Sequence, residues 1–147
     1  MSVFTKEEIE YLRSQTLSRV ATVGPDGQPH VIPVTFWFNE DEGTIDIGGI
    51  NFGAGKKWRD AKQNPKVTFL LDDTFGSGKD RQARALEVRG QVELHETGGG
   101  EINPRFPNFA PQFFRIRPKR IVSWGLEEAA TGAGYSRNAR TVSSREE

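Results

Sequence analysis

Residues 29–39 read as one long strand with apolar side chains on both faces. Ile32, Val34, Phe36 and Phe38 lie on one face, and Val31, Pro33, Thr35 and Trp37 on the other. A strand with one wet face alternates apolar and polar residues, so this one needs cover on both sides. One cover is the core. The other could be a helix, a second copy of the chain or a planar ligand, yet only residues 6–14 and 56–63 carry helical signals. That scarcity gives the partner and the bound ring more weight. Pro33 lacks an amide donor, which confines it to an edge or a bulge.

Around this strand the chain spells out a small barrel. Thr5 with Glu8 is a capping-box signature for a helix over residues 6–14. Residues 17–23 form a strand ending in the hairpin turn Gly24-Pro25-Asp26-Gly27. Further strands are expected over 44–48, 66–72, 85–95 and 113–124, the last interrupted by a bulge at Pro118. A helix starts near Lys56 and stops at Asn64-Pro65. Residues 85–95 alternate most cleanly, with Leu86, Val88, Val92 and Leu94 inward; Gly90 among them marks a close approach of another chain or a sharp bend. Residues 73–84 read as a mobile loop and 96–112, with three glycines and three prolines, as an irregular excursion. The prediction is a mainly β fold: a six-stranded antiparallel barrel with short helices over residues 1–128, then a polar tail, 129–147, that stays disordered unless it docks.

Composition narrows the chemistry. Twenty basic residues balance twenty acidic ones among 147, so no bulk charge draws the chain to nucleic acid or an anionic membrane. No apolar run approaches a membrane span and the N-terminus lacks a secretory layout, which predicts a cytoplasmic protein. Without cysteine, and with only two histidines, His30 and His95, far apart, thiolate chemistry is excluded and a metal cluster is not expected. Asp72-Asp73 point to opposite strand faces and make a poor chelate. Chemistry is expected from something bound.

The segment Gly49-Ile-Asn-Phe-Gly-Ala-Gly55 followed by Lys56-Lys57-Trp58-Arg59 suggests what that is. A helix start presents unpaired N–H groups and partial positive charge, and cations placed there make a receptor for phosphate. A plain connection with a solvated first turn explains the loop alone equally well.

Taken in order, residues 17–23 with the turn 24–27, residues 30–38, residues 45–72 and the ending Ile116-Arg117-Pro118-Lys119-Arg120-Ile121-Val122-Ser123-Trp124 resemble one family. It is the split β-barrel flavin and deazaflavin family, which includes pyridoxamine 5′-phosphate oxidase and the actinobacterial coenzyme F-420-dependent oxidoreductases. The resemblance implies a homodimer with the cofactor in a groove between subunits. Lys56 and Lys57 would then bind phosphate, Gly48, Gly49 and Asn51 would line the loop beneath it, and Pro33, Val34 and Thr35 would meet the ring. Trp124 joins this cofactor set, and Trp37 and Trp58 are further candidates for a pocket wall, although each of the three also suits a core or interface anchor. A double lysine where the oxidases place Arg-Lys, and the excursion in place of a helix before the last strand, bring the chain nearer the deazaflavin branch. The implied cofactor is coenzyme F-420, with FMN as the alternative, and the implied reaction is hydride transfer to a small unsaturated or quinone-like acceptor. No catalytic acid or base is assigned.

Other residues carry weaker signals. Arg115, Arg117, Lys119 and Arg120 form a basic run without a nearby acid in sequence, either a solvated face or a seat for an anionic cofactor tail. Tyr135, Arg137 and Arg140 are candidates to fold over the pocket. Single-stranded nucleic-acid binding through Phe36, Trp37, Phe113, Phe114, Arg115 and Arg117 is a rival that the zero net charge disfavours. A non-catalytic cofactor carrier is another, with His30 the one plausible haem ligand.

Overall fold

The computed structural model describes residues 3–127 and 136–143. Helix α1, Lys6–Ser14, starts as its sequence dictates: the Glu8 amide donates to Thr5 Oγ1 and the Thr5 amide to Glu8 Oε1. The strands are β1 (Leu17–Val23), β2 (Pro29–Thr35), β3 (Trp37–Asn39), β4 (Thr44–Ile47), β5 (Lys66–Phe75), β6 (Gln82–His95), β7 (Phe113–Trp124) and β8 (Arg137–Thr141). Helix α2, Lys56–Gln63, lies between β4 and β5.

All neighbouring strands are antiparallel, in the order β2-β1-β5-β6-β7-β4-β3, with β8 added beside β7. The two ends of this order, β2 and β3, are consecutive in the chain. The long strand expected over 29–39 is therefore divided at Phe36, which is buried and meets Phe69 edge-on at 5.1 Å between ring centres. Turning that ring into the core sends β2 to pair with β1 and β3 to pair with β4, and the sheet curls around the gap between them. Five of the six expected strands are present as single strands, the sixth is split into β2 and β3, β8 is additional, and the split barrel is the observed fold.

The core holds Val20, Phe69, Leu71, Leu86, Val88, Ile116 and Ile121, closed by aromatic residues from the α2 side. Phe52 sits edge-on to Phe114 at 4.7 Å, and Trp58 stacks on Phe114 at 6.1 Å. Trp58 is thus a core anchor. No helix covers the outer face of β2 among the described residues: Val31 is 61% exposed and Pro33 is exposed beside it. Pro33 lies on an edge strand, as its missing donor requires.

Gly90 answers to a close approach inside the chain. A side-chain carbon there would lie 2.3 Å from the Arg117 carbonyl oxygen, where the β6–β7 register shifts and Gly90 faces Pro118. Gly90→Ala is expected to destabilise the protein by roughly 1–3 kcal/mol through that overpacking, measured as a lower urea midpoint at unchanged slope. An unchanged midpoint would show that the bulge relaxes freely.

One expectation is corrected in part. Residues 73–75 and 82–84 are strand rather than loop, because Arg84 grips Asp73 across the hairpin at 2.7 and 3.1 Å and Tyr11 donates to the same carboxylate at 2.8 Å; the loop is confined to residues 76–81. The hydrogen bond from Arg84 holds the Asp73 carboxyl below its ordinary value, while burial and Asp73 push the Tyr11 hydroxyl well above its own. The docking that the sequence left open for the tail is seen in its described part, residues 136–143: β8 pairs with β7, and Arg140 reaches the buried Glu8.

Candidate functional site

The gap in the barrel is bounded by the free edge of β2 and by the loop that leaves β4. Trp37 pairs with Asp46, which anchors the start of that loop near the Thr35 end of β2. Its far end lies by the β1–β2 turn, where Lys56 Nζ is 3.5 Å from the place a Gly24 side chain would begin. The loop 48–55 therefore starts near the Thr35 end of β2 and finishes near the β1–β2 turn at its other end. Trp124 lies at the opposite end of β7 from the β4 contact, paired with Ala85 and Arg137.

The glycines of the loop serve close packing. A side-chain carbon on Gly48 would meet Ile102 and Phe109 at 3.0 Å, and one on Gly53 would fall 2.5 Å from Gln112. The Ala110 amide donates to the Gly49 carbonyl at 2.8 Å. The excursion 96–112 thus lies directly on Gly48 and Gly49, while Asn51 is exposed.

The two lysines differ. Lys56 pairs one turn along α2 with Asp60 at 3.1 Å, and the buried Asp60 also accepts from Thr22 Oγ1 at 3.2 Å. Lys57 is half-buried over the Phe52 ring, 5.3 Å from its centre, and pairs with no carboxylate among the described residues. Burial pushes its ammonium below the ordinary lysine value. The helix start beside it has Gly55 as its cap residue, no side-chain cap and no acid in its first turn. A partly desolvated cation beside uncapped helix amides fits a phosphate.

The first half of the basic run is neutralised by acids from β4, β6 and the β3–β4 turn. Arg115 forks onto Asp46 at 3.1 and 3.2 Å, and Arg117 pairs with Glu93 and Glu42. Hydrogen bonds donated to these acids raise both guanidinium values further, so these two do not offer free charge to an anionic tail. Arg140 is engaged with Glu8 rather than laid over the split, and Tyr135 falls outside the described residues. His95 stacks on Phe113 at 4.6 Å and contacts Glu93 at 3.2 Å. Of the aromatic residues suited to stacking nucleic-acid bases, Phe36, Phe113 and Phe114 are buried.

Beside the Thr35 end of β2 lies a cavity of about 560 Å³ that sequence reasoning did not foresee. Its lining joins the end of α1, residues 35–38 and residues 103–106. Phe106 of its lining stacks on Phe109 at 4.9 Å.

Comparison with known proteins agrees with this architecture. A family model described as pyridoxamine 5′-phosphate oxidase matches residues 4–125. The chain is 42% identical over 131 residues to 5a,11a-dehydrotetracycline/5a,11a-dehydrooxytetracycline reductase of Streptomyces rimosus, covering 88% of this chain and 89% of that one. Conserved hypothetical protein Rv2991 from Mycobacterium tuberculosis has a similar structure, with TM-score 0.64 and 23% identity over 84% of this chain and 86% of that one. The FAD binding protein from Mycobacterium smegmatis shares the fold at TM-score 0.59 and 21% identity, over 84% and 96%. On the family match, the identity to the reductase and the split barrel itself, the chain belongs to the pyridoxamine 5′-phosphate oxidase family.

Proposed function

We propose that this protein is an oxidoreductase that binds coenzyme F-420 in the split, at a seam between two copies, and serves hydride transfer to a small unsaturated or quinone-like acceptor. The carrying observation is Lys57, a half-buried cation without a carboxylate partner among the described residues, at a helix start that no side chain caps. The reductase relative supports the reaction class.

The cofactor supplies the hydride chemistry when bound, and the chain supplies orientation, electrostatics and exclusion of water. Lys57 and the α2 amides hold the phosphate. The outer edge of β2 is unpaired among the described residues, so the backbone groups of β2 that face away from β1 are available to the polar edge of the ring, whereas the Val34 carbonyl accepts from Ser18 Oγ at 3.0 Å. A second copy shields the exposed Val31 and Pro33, together with Ile50, which is 71% exposed on the loop. FMN in the same place is the alternative, and a carrier without turnover a further one.

Titration of the protein with F-420 and with FMN, followed by ring absorbance, and a gel-shift with single-stranded DNA separate these readings. The expected result is saturable binding of F-420, weaker binding of FMN and no DNA shift. Sedimentation should give a dimer. Failure to bind either ring would end the proposal, and tighter FMN binding would move it to the flavin alternative.

A further inference from the structure

We propose that the cavity beside the Thr35 end of β2 binds a planar, fused-ring acceptor bearing an acidic edge, with Arg105 as the residue that selects for that acidity. This rests on the preceding reading only for the ligand's role as acceptor. The binding claim stands on the cavity itself.

The shape of the cavity sets the size of its guest. About 560 Å³ falls in the roughly 300–1,000 Å³ range of sites for drug-sized ligands. The walls are apolar and largely aromatic: Leu12, Leu17, Phe36, Trp37, Phe38 and Phe106. Leu17 at 54% and Trp37 at 40% exposure are large apolar surfaces left uncovered at its rim. Flat, rigid side chains such as these suit a flat, rigid guest through stacking and apolar burial.

Charge then specifies the guest. Three charged side chains line the cavity: Arg13, Glu40 and Arg105. Arg13 and Glu40 pair with one another, so they cancel. Arg105 lies over the Phe106 ring at 5.8 Å, its backbone amide donates to Asn103 Oδ1 at 3.0 Å, and its guanidinium pairs with no carboxylate among the described residues. The lining therefore carries one uncompensated positive charge beside an aromatic wall. A guanidinium fork is complementary to a carboxylate, phenolate or enolate oxygen pair. The wall residues 35–38 also continue directly from the β2 segment proposed to meet the cofactor ring, which puts such a guest next to that ring.

The test uses two probes with the same three-ring skeleton, anthraquinone-2-carboxylate and neutral 2-(hydroxymethyl)anthraquinone, titrated calorimetrically into the full chain. Wild type should bind both, the acid more tightly. Arg105→Ala, an exposed position, should weaken the acid roughly tenfold or more and leave the neutral probe within about twofold. Phe106→Ala should weaken both. F-420 binding by Arg105→Ala should match wild type. No saturable binding of either probe, or an acid affinity unchanged in Arg105→Ala, would overturn the inference. If the probes fail while F-420 still binds, only this inference falls; if F-420 fails while the probes bind, only the cofactor reading falls.

Discussion

Lys57→Ala is expected to weaken F-420 binding by roughly 10- to 150-fold, the loss of one charge-assisted contact of about 1.5–3 kcal/mol. The size follows from the environment of this lysine. Its ammonium is already partly stripped of water, its pKa is lowered by that burial, and no carboxylate among the described residues neutralises it. An arriving phosphate therefore meets a cation with little hydration to lose and no partner to displace. Lys56→Ala should behave differently. Lys56 is committed to Asp60, whose side chain is only 4% exposed, so its removal strands a buried carboxylate and registers mainly as lower stability. Ring absorbance titrations of the two variants, paired with thermal melts, check the contrast. Equal affinity losses for both would return them to a shared phosphate role, and no loss for Lys57→Ala would remove the phosphate site.

Glu8→Ala carries the largest expected stability effect. The carboxylate is fully buried and accepts from Ser123 Oγ at 2.7 Å, from Arg140 Nη1 at 3.0 Å and from the Thr5 amide at 2.9 Å. One side chain thereby joins the N-terminal helix, the end of β7 and the docked β8. Removing one member of a buried pair costs about 3–5 kcal/mol, and the lower end applies because Arg140 retains 28% exposure and can rehydrate. The midpoint of thermal unfolding should fall by roughly 6–12 °C. Burial pushes the Glu8 carboxyl up, but Arg140, the Thr5 amide and Ser123 together outweigh it and leave the value lowered. A lowered folded-state value means that this stabilisation is fully present above the ordinary glutamate range and is lost as pH falls through the folded value. Wild type should lose stability through that acidic window faster than Glu8→Gln. Parallel pH profiles of the two proteins would contradict the account.

Local rules account for what the chain reveals in one dimension. The Thr5–Glu8 capping box, the limits of β1 and α2, and special positions at Gly90 and at Pro118 follow from residues adjacent or regularly spaced in sequence, whereas the pairing of Gly90 with Pro118 comes only with the fold. What stayed hidden depends on partners brought together by the fold. Glu8 looks like half of a capping box, yet its other partners lie 115 and 132 residues away. Arg115 appears free in sequence because Asp46 becomes its neighbour only when β4 pairs with β7. β8 has no apolar alternation, since it is held by backbone pairing at an edge and by the Arg140 anchor. The division of the long strand turns on the packing of one ring, Phe36 against Phe69. The cavity was illegible for the same reason, being assembled from three segments far apart in the chain.

A crystal structure of the protein grown with F-420 tests the central claim most directly. The ring is expected in the split against Pro33, Val34 and Thr35, its phosphate within hydrogen-bonding distance of Lys57 Nζ and the first amides of α2, and a second copy closing over Val31 and Ile50. A ring bound elsewhere, or a phosphate seated away from Lys57, would contradict that claim.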